Sequence, residues 1–299
     1  MGKISVLINV VAQEVHFLPQ VLASVKDFAD EIVLVDMSDG EEVGKVASEF
    51  GALVFPHEFV NYVEPARNFG IQKATGEWIL VLDPDEEIQG PLVSKLKQVV
   101  DSDAVDYLRV PRKNIVFGKW LKHSRWWPDY NIRFFKKGHV TWNEVIHAVP
   151  MTIGRGADLV DEEENAIIHH HYASIEQFIE RMNRYTGVQA RLKVGEGYKF
   201  HWSDLIKKPV AEFVSRYYAG KGYHDGVHGL ALSLLQGVSE LVLYLKIWQE
   251  EKFTAESLDT QETGAVLREA QKEMNYWRAD AEVNEGGGFL SKIRRKLKL

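Results

Sequence analysis

The chain has 299 residues, 45% of them apolar and 26% charged. At roughly 150 residues per domain this predicts two domains, or one domain with a large appendage, and excludes collagen-like and disordered classes. Thirty-six basic against 43 acidic residues leave a net charge of −7, which argues against non-specific nucleic-acid binding. Cysteine is absent, so disulfides, thiolate nucleophiles, zinc fingers and iron–sulfur clusters are excluded.

Met1-Gly2-Lys3 followed by Ile4-Ser5-Val6-Leu7 has one basic residue and no small-residue cleavage site. It reads as a buried first strand rather than a signal peptide, and a cytoplasmic chain is expected. Ile4 to Val11 is a continuous β-branched run, and Phe17, Leu18, Val21, Leu22, Val25 and Phe28 then recur at helical spacing. Glu31 to Asp36 predicts a second buried strand, Val43 to Phe50 a second helix and Ala52 to Phe55 a third strand. Pro65 suits the first turn of a helix ending near Thr75, with Gly76 as its stop, and Trp78 to Asp83 predicts a fourth strand. Short apolar strands alternating with helices imply a parallel sheet covered on both faces.

Asp106 to Gly156 is rich in aromatics and Arg with little helical period, and reads as irregular strands and loops of the same domain. Asp158 to Glu164 reads as a solvated acidic loop. Ser174 with Gln177 is a capping-box start for a helix lined by Ile175, Phe178, Ile179, Met182 and Tyr185. A second helical block is expected from about Pro209 to Glu251. Its apolar part, Val227 to Trp248, carries His228, Gln236, Glu240 and Lys246, which makes it a poor membrane span and fits an interfacial or buried helix. Glu262 to Ala281 predicts one more polar helix. Gly286-Gly287-Gly288 reads as a hinge that frees a tail, Phe289 to Leu299, with five basic and no acidic side chains.

The sharpest chemical feature is Asp83-Pro84-Asp85-Glu86-Glu87 at the carboxyl end of a predicted strand, where open parallel sheets bind ligands. Two Asp one residue apart can share Mg²⁺ or Mn²⁺, which in turn holds a diphosphate; the plainer alternative is an acidic loop with capping carboxylates. On this reading Asp85 is an exposed strand-end carboxylate. Asp36 ends another strand, where a carboxylate can accept from a ribose or a base. Neither a Gly-x-Gly-x-x-Gly loop nor a phosphate-binding Gly-Lys loop is present, so dehydrogenase and P-loop readings are disfavoured. His169-His170-His171 cannot converge on one ion, because neighbours in a strand point to opposite faces, and structural histidines are expected. His147 could reach a cation at Asp83 and Asp85. Trp126-Trp127-Pro128-Asp129-Tyr130 joins a sugar-stacking surface to a carboxylate, or else is core aromatics beside a turn.

Together these segments resemble family 2 glycosyltransferases of the GT-A fold, most closely the lipopolysaccharide-core subgroup that adds β-linked glucose to a heptose. The resemblance spans roughly residues 4–250. It is carried by Glu31 to Asp36, Ala66-Arg67-Asn68-Phe69, Ala74-Thr75-Gly76-Glu77-Trp78, the Asp83 to Glu87 motif, Gly118-Lys119-Trp120 through Trp127-Pro128-Asp129, Arg133-Phe134-Phe135, Asn183-Arg184-Tyr185-Thr186 and Gly222-Tyr223-His224-Asp225-Gly226. It implies an α/β GT-A domain over 1–165, with a nucleotide-sugar half, 1–105, and an acceptor half, 106–165. A helical region would follow over 166–285, then a basic amphipathic tail over 286–299.

By the same resemblance Asp36, Arg67, Asp83, Asp85 and Arg133 would bind the nucleotide sugar. Asp85, Asp83 and His147 would hold a divalent cation, Mg²⁺ or Mn²⁺, and Trp126 and Trp127 would meet the acceptor. An inverting enzyme needs a general base for the acceptor hydroxyl. Asp129 is the candidate, with Glu144 and Glu87 behind it. The implied activity is metal-dependent transfer from a UDP-glucose-like donor to a lipid-linked or cell-envelope glycan. Independently of the resemblance, the tail interleaves Phe, Leu and Ile with Lys and Arg. It and Val227 to Trp248 are therefore expected to dock on an anionic membrane surface at the inner face of the cytoplasmic membrane, the plainer alternative being a solvated basic terminus.

The chain departs from the family pattern in three places. Val10-Val11-Ala12-Gln13 stands where Thr-Tyr-Asn-Glu is usual, His147-Ala148 replaces a His-Glu pair, and Pro84 replaces the common Ala. These departures motivate an alternative, a catalytically weak nucleotide- or sugar-binding protein on the same fold. A nucleotidyltransferase ranks last, because the Gly-rich, Arg-containing first loop of such enzymes is missing.

Overall fold

The structure is a computed structural model and describes residues 2–60, 64–142 and 150–297. The chain divides into two compact units, Met1–Ile115 with Trp127–His171, and Val116–Trp126 with Tyr172–Leu299.

The first unit begins as the periodicity predicts. Strand β1 is Ile4–Val10, helix α1 Leu18–Val25, β2 Glu31–Asp36, α2 Glu42–Glu49, β3 Leu53–Pro56, α3 Glu64–Lys73 and β4 Trp78–Leu82. Then come β5 (Glu86–Glu87), α4 (Gly90–Ser102), β6 (Tyr107–Val110) and β7 (Arg112–Val116). The short strand β8, Lys119–Trp120, falls in the segment grouped with the second unit. Back in the first unit are β9 (Asn131–Lys136), β10 (Val140–Thr141), β11 (Met151–Thr152), β12 (Gly156–Asp158) and β13 (Ile167–Tyr172).

Seven strands form the main sheet in the order β12-β6-β9-β4-β1-β2-β3. Strands β4, β1, β2 and β3 run parallel, whereas β9 enters antiparallel between β4 and β6. The sheet is therefore mixed rather than purely parallel. Every residue of β1 and β4 is buried, as expected for strands covered on both faces. Ile4, Val6, Ile8 and Val10 pack with α1 and α4, and Leu7, Val33, Val35, Ile79 and Val81 pack with Ala66 and Ile71 of α3. Truncating a buried core residue, such as Leu80→Ala in β4, costs about 2–5 kcal/mol.

The Thr75-Gly76 turn works at the edge away from the chemistry. Glu31 accepts from Thr75 N (2.8 Å) and Ser5 Oγ (2.5 Å), and Gly76 N donates to Ser5 Oγ at 2.8 Å. A Cβ on Gly76 would stand 2.7 Å from Ser5 N, so only glycine lets the chain pass. This part of the family resemblance serves the fold.

The second unit is helical: α5 (Ile175–Gly195), α6 (Asp204–Val214), a π turn over Ser215–Ala219, α7 (Val227–Glu250), α8 (Thr260–Asn284) and α9 (Phe289–Leu297). The predicted capping box opens α5, with Gln177 N donating to Ser174 Oγ (3.2 Å) and Ala173 N to Gln177 Oε1 (2.7 Å). Helix α6 starts five residues before the expected Pro209, which lies inside it. Helix α7 is long and apolar enough to cross a membrane by composition. It buries Leu243, Tyr244 and Ile247 against Ala190, and Leu232 against Phe178, Val116 and Leu121.

The Gly222 to Gly229 segment locks this unit. The Asp225 carboxylate accepts from Lys122 N (3.3 Å) and His123 N (2.9 Å) and lies 3.1 Å from His123 Nδ1. A Cβ on Gly229 would fall 1.8 Å from Gly222 O. Gly222 and Gly229 are packing requirements, Gly226 serves its positive φ of 66°, and Asp225 holds the Val116–Trp126 segment to the helices.

Candidate active site

The Asp83 to Glu87 motif forms a tight turn beyond the buried end of β4. Asp83 N donates to Glu86 Oε2 (2.9 Å) and Glu86 N to Asp83 O (3.0 Å). Strand β5 then pairs antiparallel with β13, placing His169 opposite Glu86 and Ile168 opposite Glu87. The carboxylates are thus presented by paired backbone at the carboxyl end of the sheet.

A chain of ion pairs leads away from this turn. Asp83 Oδ1 accepts from Arg67 Nη2 of α3 at 2.7 Å, and Asp83 Oδ2 from Arg133 Nη2 of β9 at 2.5 Å. Arg133 Nη2 also donates to Glu86 Oε1 at 2.6 Å, and the same oxygen accepts from Arg112 Nη1 at 3.2 Å. Arg112 continues to Asp129 Oδ2 through Nε (3.0 Å) and Nη2 (2.8 Å), where Asn114 Nδ2 joins at 2.9 Å. Burial pushes the Asp83 carboxyl up, but the Arg133 and Arg67 guanidiniums overcome this and hold it well below the usual carboxylate range. Burial works against the Arg133 charge as well, yet Asp83 and Glu86 raise its pKa above the ordinary arginine value.

Asp85 lies on the other side of the turn and is 5% exposed, so it is a buried carboxylate and not the exposed one anticipated. Its Oδ1 stands 3.5 Å from His169 Nε2, which in turn is 3.1 Å from His171 Nδ1, while His169 Nδ1 meets Asn114 Oδ1 at 2.6 Å. His170 points the opposite way, to Glu87 Oε1 (3.0 Å) and Gln20 Nε2 (3.1 Å). Neighbours in the triplet thus point to opposite faces, with His169 beside Asp85 and His171 against His169.

Among the described residues no group of three His, Asp or Glu is arranged to hold a metal ion. Asp85 by itself offers a carboxylate oxygen of the kind Mg²⁺ or Mn²⁺ accepts, and phosphate oxygens of a bound diphosphate would have to supply most of the remaining donors. Asp83 is committed to two guanidiniums.

The other expected residues have their own settings. Asp36, at the end of β2, accepts from Ser38 N (2.8 Å) and Ser38 Oγ (2.6 Å). Arg67 also lies over the Trp142 ring, 5.6 Å from its centre. Asn68 exchanges hydrogen bonds with the Trp142 backbone (2.6 and 3.0 Å), so the Ala66 to Phe69 motif aims Arg67 and anchors the chain before residue 143. Trp126 is partly buried against Val116, Leu121, Phe178 and Leu232, and Trp127 is half-buried. Glu144 and His147 lie outside the described residues.

Sequence reasoning assigned no role to Glu86, Arg112, Asn114 or Asn9. Arg112 and Asn114 share β7, Glu86 comes from β5, and Arg112 joins Glu86 to the Asp129 carboxylate that Asn114 also meets. Asn9, on the Leu7 face of β1, is 3% exposed, and neither of its amide atoms has a partner among the described residues. Arg67 Nε and Arg133 Nε are in the same condition. A lone Asn in an apolar strand run was the available signal for such a site.

A mostly parallel sheet with helices on both faces, and carboxylates gathered at its carboxyl edge, is the arrangement of the GT-A class. The model of glycosyl transferase family 2 matches residues 5–162, and the chain belongs to that family and is a glycosyltransferase. An uncharacterized glycosyltransferase of Rickettsia typhi is 24% identical over 256 residues, covering 83% of this chain and 87% of that protein. A TPR repeat-containing protein of Synechococcus elongatus is 37% identical over 125 residues, 42% of this chain and 30% of that protein. Among solved structures, S. aureus TarS 1–349 in complex with UDP is 14% identical, with a TM-score of 0.45 over 86% of this chain and 94% of that one.

Proposed function

We propose that the chain is an inverting hexosyltransferase that moves a sugar from a nucleotide-diphosphate donor, UDP-glucose-like, to a lipid-linked or cell-envelope glycan acceptor. The lipopolysaccharide-core glucosyltransferases are the subgroup it resembles. The observation that carries this reading is the unbroken run of ion pairs from Asp83 through Arg133, Glu86 and Arg112 to Asp129. It ties the diphosphate motif to a carboxylate suited to proton removal, within one unit.

In the reaction the acceptor hydroxyl oxygen forms a bond to the anomeric carbon, the bond from that carbon to the diphosphate oxygen breaks, and the hydroxyl proton passes to Asp129. Its Oδ2 is filled by Arg112 and Asn114, whereas among the described residues Oδ1 has one long contact, from Asn131 Nδ2 (3.4 Å), so Oδ1 takes the proton. Arg67 and Arg133 divide their charge between Asp83 and the diphosphate, and Asp36 meets the ribose or base. A divalent cation at Asp85, when bound, supplies positive charge for the leaving diphosphate.

One feature favours a second reading, a weakly catalytic nucleotide- or sugar-binding protein. The first loop after β1 enters the 3₁₀ turn Ala12–Phe17 from Val11, with no side-chain cap. Incubation with UDP-glucose and Mn²⁺ separates the two: UDP release that stops with chelator supports the transferase, and binding without release supports the second.

A further inference from the structure

Helix α9 is amphipathic, and it is attached to the rest of the unit by its polar side. Ser291 Oγ donates to Glu282 Oε2 (2.7 Å) and Arg295 Nη1 to Asp280 Oδ1 (3.0 Å), which fold α9 back along α8. The Gly286 to Gly288 segment is part of this fold-back, with Gly287 N donating to Glu282 O at 2.7 Å, so the tail is held and not freely hinged. At about 100° per residue, the side of α9 opposite Ser291 and Arg295 carries Phe289, Ile293 and Leu297, with Leu290 beside them. Phe289 is 76% exposed and Leu290 68%. Lys292 and Lys296 border this stripe on one edge and Arg294 on the other; all three are exposed. A helix packing for stability alone would turn its apolar stripe inward.

The same corner exposes a second apolar residue group. Glu285, just before α9, accepts from Tyr223 Oη (3.0 Å) and lies 2.9 Å from His224 Nε2, just before α7. The starts of α7 and α9 are thereby brought together, and α7 opens with Val227, 80% exposed, followed by Leu230 on the same outward side.

We infer that this corner is a membrane-docking surface, and that its partner is an anionic lipid bilayer. Charge complementarity selects the partner: residues 289–299 carry five cations and no acidic side chain in a chain whose net charge is −7. The α9 stripe enters the headgroup boundary in plane, its flanking Lys and Arg meet lipid phosphates, and Val227 and Leu230 supply the second contact that stable anchoring requires. The surface would place the chain at the inner face of the cytoplasmic membrane.

The test is flotation of the full chain with vesicles of phosphatidylcholine alone or mixed with phosphatidylglycerol, without donor, so its outcome is independent of the transferase reading. The wild-type chain is expected to float with mixed vesicles and to be released by salt. The double variant Phe289→Ser, Leu290→Ser should lose at least tenfold in partition with an unchanged melting temperature. Lys292→Gln with Lys296→Gln should lose the phosphatidylglycerol preference, at about fivefold per cation removed. The inference is overturned if the wild-type chain ignores phosphatidylglycerol, or if either variant floats like the wild type. It is also overturned if Phe289→Ser, Leu290→Ser leaves flotation intact but dissociates a dimer on gel filtration, since the occupant is then a second copy.

Discussion

The Arg112 guanidinium donates to one oxygen of Asp129 through two nitrogens, Nε at 3.0 Å and Nη2 at 2.8 Å. That grip fixes the carboxylate, which sits at φ 36° in a left-handed conformation, and leaves its other oxygen for chemistry. Asp129→Asn keeps the volume and one acceptor oxygen. Donor binding should survive, and transfer should fall by about 10²–10⁴, the usual cost of a lost general base. Transfer at the wild-type rate would move the base to Glu144 or Glu87.

Arg133 is 3% exposed and bridges Asp83 and Glu86. Arg133→Met would leave Glu86, itself 1% exposed, with Arg112 as its one remaining guanidinium among the described residues, beside the Asp83 N–H. Breaking a buried pair by removing one partner costs about 3–5 kcal/mol. Urea denaturation of the variant should show a loss of that size; a midpoint unchanged from wild type would mean that the network contributes nothing to the fold.

The depressed pKa of Asp83 has a definite pH signature. Its ionised form is favoured in the folded state, so its contribution is fully present above the unfolded carboxylate value of about 4 and is lost as pH falls through the lower folded value. Stability should therefore be level near neutrality and decline in acid below about pH 4. Asp83→Asn should decline with a shallower slope over that window. Parallel acid-unfolding curves for the two proteins would contradict the assignment.

Gly229→Ala places a methyl against Gly222 O and should destabilise the helical unit by about 1–3 kcal/mol or more through overpacking, read as a lower melting temperature. Gly195→Ala, where a Cβ meets nothing, serves as the control.

The alternating strands and helices up to Leu82 were legible because each apolar run is short, continuous and flanked by a helical period. The Ser174 start was legible for a local reason too, since a capping box is read within four residues. The network around Asp129 was not legible. Glu86, Arg112, Asn114 and Arg133 are scattered along the sequence, and only the antiparallel entry of β9 and the pairing of β5 with β13 bring them together. Nothing in the composition of Val116–Trp126 marks it as belonging with the helices; Asp225, a hundred residues on, decides that through His123 and Lys122. The fold-back of α9 was hidden for the same reason. Three glycines read locally as a hinge, while Glu282 and Asp280 hold the helix beyond them through Ser291 and Arg295.

The most direct test of the central claim compares wild type with Asp85→Asn in the presence of UDP-glucose and Mn²⁺, following thermal stability and UDP release together. Wild type should gain about 2.7 kcal/mol at a hundredfold excess of donor over Kd and should release UDP. Asp85→Asn, checked first for a cooperative melt without donor because the residue is buried, should do neither. A wild-type chain that neither shifts nor releases UDP, or a variant that matches wild type in both, would contradict the account.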